Sequence, residues 1–367
     1  MIALSEIIHR YESDYLAQYR HAILPSHRQA LAAMKSCRTH LAPRMLTCCT
    51  ACDETRLVPH SCGHRSCPHC QHHESQQWLE RQIKRLVPAN YFLLTFTIPA
   101  EFRDLAWHHQ RLFYALLFEC AWTTVSTFSQ NDKHLRGNPG AVTVLHTHSR
   151  RLDYHPHLHL VMPAASLDVK TRRWRTKPTH KGTGYLFSHR ALAKVFRAKM
   201  LAALSREGLK LPACHPTKWV VDCKGVGSGQ NALVYLGRYL YRGVIQEKDI
   251  LSCDDKHVSF RYRNSQTEKL EIRSVSGAMF LWLILQHVLP KGFRRARNFG
   301  FLHPNSKRLI VLLQVVAKVL LSLKVGETKP RPPFLCSCCG APMQVVKRKI
   351  PPSARRHSAN LAVGGRV

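Results

Sequence analysis

The segment Tyr154-His155-Pro156-His157-Leu158-His159-Leu160-Val161-Met162 crowds three imidazoles into five residues. Side chains alternate across a strand, so His157 and His159 share one face while Leu158 and Leu160 take the other. Two imidazoles about 7 Å apart along a strand can converge on one divalent cation. His155 shares that face too, so the pair could sit one step earlier. A second stretch, Tyr235-Leu236-Gly237-Arg238-Tyr239, sets two phenols four apart, which on a helix is one face. A phenol of pKa about 10 is a poor nucleophile while neutral, and a nearby cation would stabilise phenolate or polarise a phosphate. The bland readings are a polar strand edge for the histidines and packing for the tyrosines. A third metal ligand is expected, with His146 and Gln230 as candidates. Tyr241 falls roughly 200° round the helix from Tyr239 and is set aside.

A separate constellation is made of sulfur. Cys37, Cys48, Cys49, Cys52, Cys62, Cys67 and Cys70 fall within 34 residues. Two Cys-x-x-Cys pairs stand out, Cys49–Cys52 and Cys67–Cys70, with 14 residues between them. Each pair can form a knuckle that aims two thiolates at one ion, and two knuckles complete a tetrahedron. The expectation is one structural Zn²⁺ held by Cys49, Cys52, Cys67 and Cys70. That would leave Cys37, Cys62, His60, His64 and His69 for a second site, for substitution in the first, or for no metal at all. In the tail, Cys336-Ser337-Cys338-Cys339 is a lone pair and on its own weak evidence for zinc.

The 367 residues suffice for two or three domains. Lys and Arg number 55 against 22 Asp and Glu, a formal charge of +33. Self-repulsion of that size points to a polyanionic partner, nucleic acid before membrane surface or ribosome. Aromatic residues interleave with the basic runs, as in Lys170-Thr171-Arg172-Arg173-Trp174-Arg175, which suits single strands. Residues 1–6 show neither the basic start nor the apolar core of a secretory signal, and no apolar run is long enough to span a bilayer. The expected setting is therefore cytoplasmic and nucleoid-associated, where 14 cysteines are metal ligands or core rather than disulfides.

Periodicity supplies the elements that must position these groups. Helical pattern covers 5–35, broken at Pro25, then 74–86, 102–128, 190–207, the tyrosine segment, 278–289 and 309–323. Strands are expected at 91–99, 141–148, the histidine segment, 218–222, and a hairpin of 258–263 with 269–272. Gly225, Gly227 and Gly229 make a flexible approach to the tyrosine helix without the spacing or lysine of a nucleotide loop. The last ~15 residues are expected to be disordered. The order of elements predicts an α+β fold, an antiparallel sheet with helices on its faces. The divisions are a helical and zinc-binding ribbon domain (1–88), a catalytic domain (89–300), and a basic C-terminal helix and tail (301–367).

His157-Leu158-His159 resembles the His-hydrophobic-His motif of the HUH endonucleases. Tyr235 to Arg242, reading Tyr-Leu-Gly-Arg-Tyr-Leu-Tyr-Arg, resembles the two-tyrosine motif of their transposase branch. With Cys67-Pro68-His69-Cys70-Gln71 and His287-Val288-Leu289-Pro290-Lys291-Gly292-Phe293, the ordered set resembles rolling-circle insertion-sequence transposases with an N-terminal zinc-binding domain. The likeness runs from about Cys37 to Cys339. It implies an HUH-type sheet, Mg²⁺ or Mn²⁺ at His157 and His159, and Tyr235 and Tyr239 as nucleophiles. These would cut single-stranded DNA at the ends of a mobile element and leave a 5′-phosphotyrosine. The DNA contacts expected are Arg238, Arg242, Arg173, Trp174, Arg175, Lys291, Arg294 and Arg295. A plasmid replication initiator or relaxase would share the chemistry but not the zinc module. A non-catalytic zinc-dependent regulator would leave the histidines and tyrosines idle. A His-x-His barrel hydrolase would need an eightfold strand–helix repeat that the chain lacks.

Overall fold

The computed structural model describes residues 2–168, 171, 173–178, 186–241, 243–264, 267–316 and 334–351; the side chains of His72, Arg238, Tyr239, Tyr241 and Val316 are not among those described. The fold is α+β, as the sequence predicts. At its centre lies a seven-stranded sheet in which every pairing is antiparallel. The histidine strand Tyr154–Pro163 runs between Tyr91–Thr97 and Asn138–His148. Val221–Gly225 closes one edge, and Ala296–Gly300, Ala165–Asp168 and Arg173–Thr176 extend the other. The expected strand at 218–222 starts three residues later, at Val221.

Alternation along the histidine strand sends successive residues to two different cores. Leu158, Leu160 and Met162 join Leu94 and Phe96 beneath the helices Gln110–Asn131 and His189–Arg206. On the opposite face Val161, Val142 and Val144 pack beneath Leu233, Leu236 and Leu240 of the tyrosine helix Gln230–Tyr241. His157 and His159 continue that second row, at the end of the sheet where the apolar residues give out.

A third core gathers both N-terminal helices, Leu4–Gln18 and Pro25–Ser36, with the apolar helix Gly277–Leu285 and the small sheet of Ile250–Cys253, His257–Arg263 and Leu270–Ser276. Tyr11 lies so close that a Cβ at Gly277 would fall 2.2 Å from its ring. The start of the chain is thus packed against residues some 250 positions later, across the division expected at residue 88. The division at 301 is crossed as well. Strand Pro342–Ile350 pairs along Arg44–Cys49, in a four-stranded sheet with Thr55–Pro59 and Phe334–Leu335. The expected helix at 309–323 is Lys307–Val316 as far as it is described; its later half and the terminal ~15 residues lie outside the described residues.

Candidate active site and metal centres

His146 pairs directly opposite His157 across the sheet, and Val144 opposite His159. Period-2 alternation therefore puts His146, His157 and His159 on one face, with a ligand atom of each within 4.8 Å of the others. Their ring centroids stand 4.4 to 5.3 Å apart. The third imidazole is thus the His146 of the neighbouring strand. His155 lines the same cleft with its ring 5.2 Å from that of His157, but it does not join the converging set, and its Nδ1 accepts from Arg103 at 3.1 Å.

Two hydrogen bonds orient the strand's imidazoles. His157 Nδ1 lies 2.7 Å from the His155 carbonyl oxygen. A carbonyl only accepts, so Nδ1 carries the proton and Nε2 keeps its lone pair. Thr95 Oγ1 sits 3.1 Å from His159 Nδ1. Burial, reinforced by mutual repulsion, lowers the pKa of His159 to about 3 and holds His146 well below the usual histidine range. Burial lowers His157 as well. Three neutral imidazoles result, which is the protonation state a metal requires. The donor set is all nitrogen, which suits a transition-metal ion better than Mg²⁺, whose preferred ligand is oxygen.

Tyr235 stands over this cluster. Its ring is 5.9 Å from that of His159 and nearly perpendicular to it, and at 39% exposure it is reachable from solvent. The helix that carries it is positioned from two sides. Its approach needs Gly229, at φ +81°, where a Cβ would collide with the buried ring of Tyr91. Its back lies on helix His72–Ile83: Gly237 faces Trp78, and Ser75 donates to the Gly237 carbonyl at 2.9 Å. Tyr239 occupies the backbone position one turn on; its side chain, those of Arg238 and Tyr241, and all of Arg242 lie outside the described residues.

Histidines and Tyr235 open into one cleft of about 700 Å³. Its far wall belongs to the small sheet, with Phe260, Arg261, Tyr262 and Arg263, and Arg150 lies at the rim. Arg261 pairs with Asp249 at 2.9 Å, and Arg150 and Arg263 both reach Glu268. Sequence reasoning missed these arginines, although Phe260-Arg261-Tyr262-Arg263 carries the aromatic–basic interleaving sought elsewhere. The residues it favoured are differently placed. Trp174 packs edge-to-face on Phe301, 5.2 Å away, and Arg175 pairs with Asp168 at 3.2 Å. Arg295 is turned inward, where burial lowers its pKa to about 10, and it donates to the Leu240 carbonyl on the tyrosine helix. Arg173, Lys291 and Arg294 are exposed.

The structure does not bring together Cys49, Cys52, Cys67 and Cys70, the four cysteines expected to share one zinc. Those four cysteines divide between two clusters. Cys67 and Cys70 join Cys37 and Cys62, with Sγ–Sγ separations of 3.3 to 3.6 Å. Cys49 and Cys52 join Cys336 and Cys339, at 3.4 to 3.6 Å. The spacing misleads because the tail strand inserts beside Arg44–Cys49 and brings its own pair. Zn–S bonds of about 2.3 Å give a tetrahedral edge of roughly 3.8 Å, near both sets, whereas a disulfide needs about 2.05 Å. His69, one of the residues left over, bonds instead to Glu247 at 2.9 Å.

Two family models match the chain. "Transposase zinc-binding domain" covers residues 7–98, and "Putative transposase" covers 140–309. The chain is 30% identical over 323 residues to "Putative transposase y4qJ" of Sinorhizobium fredii, spanning 82% of this chain and 80% of the relative. It is 27% identical over 347 residues to the "Transposase for insertion sequence element IS801" of Pseudomonas savastanoi pv. phaseolicola, spanning 86% and 82%. No solved structure matches.

Proposed function

The chain belongs to the IS91-type transposases, zinc-binding proteins that act on DNA, and on that premise we propose that it cuts and rejoins single-stranded DNA through tyrosine. The observation that carries this reading is the Tyr235 ring set against His159, in the same cleft as three neutral imidazoles. His146, His157 and His159 would hold Mn²⁺ or Mg²⁺. That cation, when bound, supplies positive charge to a phosphate oxygen and to phenolate.

The Tyr235 phenol gives up its proton and its oxygen attacks phosphorus. The bond from phosphorus to the 3′ oxygen breaks, and that oxygen leaves with the electron pair and takes up a proton. The products are a 5′-phosphotyrosine and a free 3′-hydroxyl. Attack by a 3′-hydroxyl on the phosphotyrosine runs the step backwards, so joining needs no nucleotide cofactor. Thr95 and the His155 carbonyl keep the imidazoles aimed. Tyr239, one helical turn on at about 6 Å of rise, is the second nucleophile in this scheme and lets two strand ends be handled in succession.

Unpaired DNA is the proposed substrate because the cleft alternates rings with cations. Tyr262 and Phe260 offer faces for stacking, and Arg150, Arg261 and Arg263 lie within reach of phosphates. The test is incubation with labelled single-stranded DNA from the element's ends and Mn²⁺, followed by denaturing electrophoresis. A covalent adduct is expected for the native chain and none for Tyr235→Phe/Tyr239→Phe. An adduct formed undiminished by the double variant overturns the assignment.

A further inference from the structure

Cys336 and Cys339 lie beyond both family spans, which end at residues 98 and 309. They nevertheless meet Cys49 and Cys52, 284 or more residues earlier, in a four-sulfur cluster. Proximity alone could follow from the strand pairing beside them, so the local geometry of each pair decides. The two pairs are built alike. In the first, the Ala51 N–H points at Cys49 Sγ, 3.3 Å; in the second, the Cys338 N–H points at Cys336 Sγ, 3.4 Å. The Cys49 N–H bonds to the Glu54 carbonyl at 2.8 Å, and the Cys336 N–H to the Ala341 carbonyl at 2.9 Å, five residues on in both. The residue after the second cysteine is left-handed in each, Asp53 at φ +54° and Gly340 at +73°. A non-glycine residue accepts that conformation at a cost, so the matching turn at Asp53 is a built feature.

A Cys-x-x-Cys turn whose inner N–H groups face the first sulfur stabilises a thiolate there and aims both sulfurs to one side. We propose that Cys49, Cys52, Cys336 and Cys339 form a second zinc site, a ribbon assembled from the two ends of the chain. Its ion joins the N-terminal ribbon to the C-terminal strand Pro342–Ile350. The site is independent of the tyrosine reading, since none of its residues lines the catalytic cleft.

The ion adds a second bond between segments already paired as strands. Half of its shell is exposed: Cys52 and Cys339 are open to solvent, while Cys37, Cys67 and Cys70 of the other cluster are buried. Zinc at the joint is therefore the first of the two to exchange with a chelator.

The test counts zinc by atomic absorption in the full-length chain. A His157→Ala/His159→Ala background is used so that the imidazoles bind none. Two zinc per chain are expected. Cys49→Ser should leave one, Cys336→Ser should leave one, and the double variant should also leave one, because both changes empty the same site. Cys336→His, which keeps a zinc donor, should restore the second ion. The zinc remaining at Cys37, Cys62, Cys67 and Cys70 reports that each variant is folded. One zinc per chain in the unmodified background, unchanged by Cys336→Ser, overturns the proposal. So does a double variant that loses two ions while retaining its helical circular dichroism.

Discussion

The histidine cluster and the cysteine clusters are both metal-type constellations, yet they are surrounded in opposite ways. In each sulfur set four thiols lie within 4.8 Å of one another, and four thiolates around one zinc leave no position for a substrate. The histidine set has three donors on one side and a cleft of about 700 Å³ on the other. A closed shell suits architecture and an open one suits chemistry. The two are also mechanically linked. Helix His72–Ile83, which starts two residues after Cys70, is the surface on which the tyrosine helix rests.

The largest effect expected is on the nucleophile. Tyr235→Phe/Tyr239→Phe should lower adduct formation by about 10⁴-fold or more while DNA binding holds, since only oxygens are lost. Retained activity would return both phenols to packing and make Tyr241 the next candidate. The next effect separates the two kinds of metal. Brief EDTA treatment should abolish cleavage and added Mn²⁺ restore it, with the zinc of the cysteine sites still bound. Loss that Mn²⁺ cannot reverse, under conditions where zinc is retained, would erase the distinction between open and closed shells.

A smaller effect concerns aim. Thr95→Val removes the oxygen beside His159 Nδ1 and nearly keeps its volume, and should weaken Mn²⁺ binding by about 10- to 100-fold with zinc content unchanged. Titration of Mn²⁺ against cleavage rate reads this directly. Smaller again, Arg261→Gln/Arg263→Gln should flatten the salt dependence of single-strand binding, reducing the magnitude of the slope of log K against log salt by about 1.4. An unaltered slope would place the DNA path elsewhere than the small sheet.

The smallest effect at neutral pH belongs to a buried histidine outside the cleft. His27 packs near Trp107 and Trp282, and burial lowers its pKa to about 4. Its folded value lies below the unfolded one of about 6.5, so protons favour the unfolded chain. It therefore contributes nothing at pH 7 and costs stability as pH falls from about 6.5 to 4, up to about 3 kcal/mol. His27→Gln should flatten urea stability across that window and leave cleavage at pH 7 unchanged. A neutral imidazole is thus not by itself a ligand; convergence with others makes it a candidate.

The sequence by itself determined what is local. Alternation along Tyr154–Pro163 puts His157 and His159 on one face, and the interval of four puts Tyr235 and Tyr239 one turn apart, because strand and helix periods act over a few residues. The α+β class and the family likeness follow from the order of such segments. Three things were decided only by the tertiary structure, all of them matters of register or return. His146 became the third imidazole when Asn138–His148 paired in the register that sets it opposite His157. Arg261 and Arg263 became a wall of the cleft when their sheet was carried there by the core it shares with the N-terminal helices. The cysteines were regrouped when Pro342–Ile350 came back to lie beside Arg44–Cys49. Spacing along the chain predicts partners only while the chain stays local. A strand can recruit its neighbour from any distance at a closure cost that grows only with the logarithm of the loop.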